Sequence, residues 1–129
     1  MSSTYTFSND TDLKPCPDTP NCVSSQAIEG HSIKPFALAN SSTVDTGTLV
    51  ALIQRLEEKV SVINDNQRIH AEFTSRVFGF VDDLDLVISQ KQNIIHVRSA
   101  SRTGHYDFGV NRRRIEKLRA LLIQEGVIQ

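Results

Sequence analysis

Apolar residues between positions 46 and 60 fall at Leu49, Leu52, Ile53, Leu56 and Val60, steps of three and four that line one side of a helix. The pattern predicts a helix over residues 46–60, with Asp45 or Thr46 accepting its first free N–H groups. Arg55, Glu57, Glu58 and Lys59 form its solvated side. The period then drops to two. In residues 68–77, Ile69, Ala71, Phe73, Ser75 and Val77 share one face, and Arg68, His70, Glu72, Thr74 and Arg76 the other. In residues 80–88, Phe80, Asp82, Leu84, Leu86 and Ile88 alternate with Val81, Asp83, Asp85 and Val87. In residues 94–102, Ile95, Val97, Ser99 and Ser101 alternate with His96, Arg98, Ala100 and Arg102. Gly79 and residues 90–93 supply turns, so an antiparallel meander is expected. Residues 60–63 add a short strand. Residues 33–37 suit an edge, because Pro35 has no N–H to donate. A helical period returns over residues 110–124, with Val110, Ile115, Leu118, Leu121 and Leu122 on its buried stripe and Gly126 as its stop.

Two one-sided helices and a meander with one apolar face predict an α+β fold: a two-layer sandwich of an antiparallel meander sheet with both helices packed on one face. A chain of 129 residues suits one domain, expected over residues 15–129 after a flexible segment at 1–14. Residues 40–47 read as a linker rich in turn formers. No apolar run approaches the ~20 residues of a membrane span, so no integral membrane association is expected. Fourteen Lys and Arg against fifteen Asp and Glu leave a net charge of −1, which argues against a general nucleic-acid binder. The polar start MSSTYTFSNDTDL lacks the cationic and apolar parts of a secretory signal, so a cytoplasmic protein is expected, or an exported one whose leader was removed.

Cys16 and Cys22 stand in KPCPDTPNCVSS, where Pro15, Pro17 and Pro20 exclude regular structure. Three readings stay open: two packed thiols, a small disulfide loop, or a zinc site completed by histidines. A reducing cytoplasm favours the thiols. The spacing is not that of a redox Cys-x-x-Cys pair.

The polar alternates carry the candidate chemistry. Arg76, Asp83, Asp85, Arg98 and Arg102 project from the second sheet face or its rim. Asp82 has inward parity, and a buried carboxylate needs a partner; Arg112, Arg113 or Arg114 are within reach. Three arginines at a helix start oppose the local backbone dipole and call for something negative, from Asp107 as a cap, from Asp82 or Asp83, or from a bound anion. The candidate ligand-binding set is therefore Arg76, Asp83, Arg98, Arg102, Asp107, Arg112 and Arg113. Ser99 and Ser101 read as small packing residues, and no Gly-x-Ser-x-Gly elbow supports a hydrolase with His105 and Asp107. His70 and His96 could meet across the sheet and, with Glu72, make a three-ligand metal site. Phe78, Phe80, Tyr106 and Phe108 lie near turns, where they either close the core or, if exposed, offer a partner surface.

Three stretches together, CPDTPNCVSS, FTSRVFGFVDDLDLVI and VRSASRTGHYDFGVNRRRIEKL, resemble the bacterial and plastid proteins grouped as domain of unknown function 1499, over residues 16–122. The resemblance implies no particular activity. Many members look exported, lipid-anchored or organellar, features absent from the start of this chain.

The functional expectation is a small binding or interaction domain with an Arg/Asp-rich site for an anionic small molecule or an acidic protein surface. No cofactor is expected. The alternatives are an enzyme acting on an anionic small molecule, with Asp83 or His105 as acid or base, and a metal-binding module built on Cys16, Cys22 and histidines.

Overall fold

A computed structural model describes residues 11–39 and 44–129. The expectations for residues 1–10 and 40–43 lie outside these. The elements are β1 (Cys22–Ser24), β2 (Phe36–Ala37), α1 (Thr46–Gln54), β3 (Val60–Asn64), β4 (Arg68–Thr74), β5 (Val81–Ser89), β6 (Ile94–Ser101) and α2 (Val110–Gln124). Strands run in the order β1-β6-β5-β4-β3, all antiparallel, and β2 pairs with β6 beside β1. The architecture is the α+β two-layer sandwich read from the sequence.

The alternation explains the layers. Ile69, Ala71, Phe73, Leu84, Leu86, Ile88, Ile95 and Val97 all point to one side and are buried. Both helices cover that side. Leu49, Leu52 and Ile53 of α1 and Ile115, Leu118 and Leu122 of α2 complete the core with Phe36 and Leu38. Truncating one such side chain to Ala typically costs about 2–5 kcal/mol in lost transfer energy and cavity.

Several boundaries differ from the sequence reading. Helix α1 ends at Gln54 rather than at residue 60, because the Lys59 carbonyl accepts from Thr74 N–H and Val60 is drawn into the sheet. Leu56 still packs into the core from the turn. Asp45 caps α1 through Gly47 N–H, at 3.0 Å. The β4–β5 hairpin closes earlier than the alternation suggests, so Ser75, Val77 and Phe80 are exposed rather than inward. The α2 boundaries match, but Val110 is exposed. After Gly126 (φ 73°) the chain turns back, and Ala39 N–H and Gln129 N–H bond the tail to the β2 segment, a pairing without a sequence signal.

The second sheet face is not bare. Residues 11–16 cross it as a strap. Arg68 donates to the Asp12 carbonyl (2.6 Å), Arg98 to the Pro15 carbonyl (3.3 Å), and Leu13 N–H to Gln26 Oε1 (2.7 Å). Leu13 is buried, and a Cys16–Cys22 disulfide ties the strap to β1. The packed-thiol and zinc readings of these cysteines are thereby corrected. The bridge spans six positions in sequence, and closing a loop of that size stabilises by about 2 kcal/mol.

Candidate functional site

Each side of the sheet carries a network of charged and polar side chains. On the helix-covered side, Arg114 enters from the first turns of α2 and is almost fully buried. Its guanidinium donates to Asp82 Oδ2 (2.8 Å), Glu57 Oε2 (2.9 Å), Asn111 Oδ1 (2.8 Å) and Ser99 Oγ (3.1 Å), and lies over the Phe73 ring. This is the arginine partner that the inward parity of Asp82 demands. Ser99 is no mere packing residue, since its hydroxyl donates to Asn111 Oδ1 at 2.6 Å. Asn111 in turn donates to Asp107, Ser101 and the Asn21 carbonyl. Asp107 accepts from Gly109 and Asn111 N–H groups, the expected helix cap. Burial alone would push its carboxyl up, but these hydrogen bonds outweigh that and hold it below its ordinary value.

On the strap side, His70 on β4 is buried and surrounded by carboxylates. Its Nδ1 lies 2.7 Å from Asp85 Oδ1, and its Nε2 lies 3.2 Å from Glu72 Oε2 and 3.5 Å from Asp83 Oδ1. Burial lowers the imidazole pKa, but the hydrogen bond and charge of Asp85, with Glu72 and Asp83, raise it above its ordinary value overall. Arg102, just past β6, donates twice to Asp83 at 2.8 Å and approaches Glu72 Oε2 at 3.0 Å. The hydrogen bonds to Asp83, helped by both negative charges, raise its pKa despite partial burial.

Two grooves flank the strap. One, of about 410 Å³, runs between residues 14–17 and the end of β6; Lys14, Asp83, Arg98 and Arg102 are its charged lining. The larger, of about 900 Å³, lies on the other side and includes Leu13, Cys16, Ile28, His31 and His96.

The candidate ligand-binding residues do not form one cluster. Asp83, Arg98 and Arg102 meet at the smaller groove. Arg76 sits at the β4–β5 hairpin against Glu58, both largely exposed. Asp107 caps α2. Arg112 reaches the Gly30 and Ser32 carbonyls, and Arg113 the Phe108 carbonyl. The three consecutive arginines thus diverge around the helix, and Arg114, outside the candidate set, takes the buried place. His70 and His96 do not meet either: His70 pairs in register with Asp85, His96 with Val87, and His96 contacts Ser25 and Gln92. His105 is exposed, with its ring against Tyr106.

Sequence reasoning missed Lys14 and the strap, because no periodicity marks a segment held by backbone carbonyls. It also missed Asn111, and it named Arg114 only as one of three possible partners for Asp82, although a separation of three places Asn111 and Arg114 on one helix face with Ile115 and Leu118. The aromatic residues near the turns are exposed. Phe78 stacks on Phe80 and Tyr106 on Phe108, on two loops at the same end of the sheet. Phe108 is held at φ 54°, an uncommon conformation for a bulky residue, just before Gly109 at φ 79°.

Fold and site together define a small α+β domain with a charge network centred on buried Arg114 under its helices and a more accessible one beside a disulfide-tied strap. The family described as "Protein of unknown function (DUF1499)" matches residues 12–122, and the chain belongs to it. No curated protein and no solved structure matches the sequence or the fold significantly. Among the described residues, no helix is long and apolar enough to cross a membrane.

Proposed function

We propose that the domain binds a small anionic ligand in the groove between the strap and the end of β6. One observation carries this reading: Lys14, Arg98 and Arg102, from two distant segments, line a space of about 410 Å³ in which, among the described residues, Asp83 is the single carboxylate. With Glu72 also against Arg102, three cations face two carboxylates, and the remaining positive charge favours a phosphate or carboxylate group, whose oxygens guanidinium groups match with paired hydrogen bonds. The volume suits a small molecule better than a protein surface. Asp83 and Glu72 hold the Arg102 fork in place, which lowers the ordering cost of binding. The disulfide holds the Lys14 side of the groove. It also supports an oxidising compartment over the cytoplasm, since such bridges are rare under reducing conditions.

Titration of chelator-treated protein with inorganic phosphate and pyrophosphate, followed by amide NMR, tests the reading. Saturable shifts at Cys16, Ala100 and Ser101 are expected, weakened at least fivefold by Lys14→Gln and by Arg102→Gln. Shifts that never saturate, or that both variants leave unchanged, would refute it.

A further inference from the structure

We propose that His70, Glu72 and Asp83 form a binding site for a divalent metal ion of the zinc type on the strap side of the sheet. The inference does not depend on an anion in the neighbouring groove. Its starting point is proton accounting around one buried imidazole. An ionised carboxylate can only accept, so the 2.7 Å contact with Asp85 requires the proton on His70 Nδ1. In neutral histidine, Nε2 then bears a lone pair. That lone pair faces Glu72 Oε2 at 3.2 Å and Asp83 Oδ1 at 3.5 Å. The Arg102 guanidinium stands against the two carboxylates, at 2.8 and 3.0 Å, and a proton on Nε2 or a metal ion would bring positive charge to the imidazole side as well.

The spacing accommodates a metal ion. Zinc bonds to nitrogen and oxygen are about 2.0–2.1 Å long, and the edges of a tetrahedron built on them are about 3.3 Å. The two measured edges, 3.2 and 3.5 Å, bracket that value, and the three ligand atoms all lie within 4.8 Å of one another. Asp85 supplies the outer-sphere carboxylate that commonly fixes the tautomer of a ligating histidine. One imidazole and two carboxylates suit zinc and similar borderline ions better than calcium, which prefers all-oxygen sites. The carboxylates are partly exposed, so an ion can enter from solvent and keep a fourth position for water. The position also has a built-in competitor. The Arg102 guanidinium occupies the same two carboxylates, at 2.8 and 3.0 Å, and an arriving cation must displace it.

Cobalt(II) titration of the full, chelator-treated chain at neutral pH, with zinc(II) in competition, tests the site. One equivalent of cobalt is expected, read by its visible absorption and by broadening of the His70 ring signals but not those of His105. His70→Gln should weaken binding at least tenfold. Glu72→Gln, on a partly exposed side chain, should do the same if the buried substitution fails to fold. Arg102→Gln should tighten binding severalfold by removing the competitor. Absence of stoichiometric uptake by the wild-type chain, or affinity that survives both His70→Gln and Glu72→Gln, would overturn the proposal.

Discussion

Arg114 and Arg102, on opposite sides of the sheet, hold their charge in opposite ways, while Arg68 and Arg98 are as buried on the strap side as Arg114 is under the helices. Under the helices, one cation, Arg114, is buried and its donors are spread over Asp82, Glu57, Asn111 and Ser99. Under the strap, Arg102 is about half exposed and shares two carboxylates with a buried histidine. Removing one member of a desolvated network strands the others, whereas water can replace a partner at the rim. The first arrangement therefore maintains the fold, and the second leaves charge within reach of a ligand. Asp82 and Asp83, neighbours in β5, acquire different roles from the side of the strand that each occupies.

Substitutions should separate the faces, beginning with the largest effect. Arg114→Met strands the partly buried Asp82 and should cost about 3–5 kcal/mol in urea unfolding. Replacing Cys16 and Cys22 together by Ser should cost about 2 kcal/mol, and also expose the Leu13–Cys16 backbone to hydrogen exchange while leaving α2 amides protected. Asp107→Ala removes the cap of α2 and should cost about 1 kcal/mol. The pH dependence of that effect has a defined sign. The folded carboxyl titrates below its ordinary value near 3.8, so its contribution is present above that pH and disappears as acid brings the pH down through the folded value. The difference between wild type and Asp107→Ala should thus be constant near neutrality and shrink below pH 3.8. Arg102→Gln should change stability least, by under about 1 kcal/mol, and by less still in high salt.

The sequence made the framework legible because its signals are periodic. Alternation at Ile69–Ala71–Phe73 and the stripe Ile115–Leu118–Leu122 determine which sides meet, and both sets are buried as expected. The inward parity of Asp82 correctly demanded an arginine. Spatial gathering was another matter. Parity assigns Arg76 to the polar face, but the hairpin turns before it gets there. The helix predicted over residues 110–124 already sets Arg112, Arg113 and Arg114 about 100° apart, but only the fold shows which neighbours each one meets. The strap escaped notice for a related reason. Its hold on Arg68 and Arg98 runs through the carbonyls of Asp12 and Pro15, and every residue has a carbonyl.

A pair of double-mutant cycles in urea, Asp82–Arg114 on one face and Asp83–Arg102 on the other, tests the division of labour most directly. The account predicts a coupling of about 2 kcal/mol or more for the first pair and below about 1 kcal/mol for the second. Equal couplings, or the larger value at Asp83–Arg102, would contradict it.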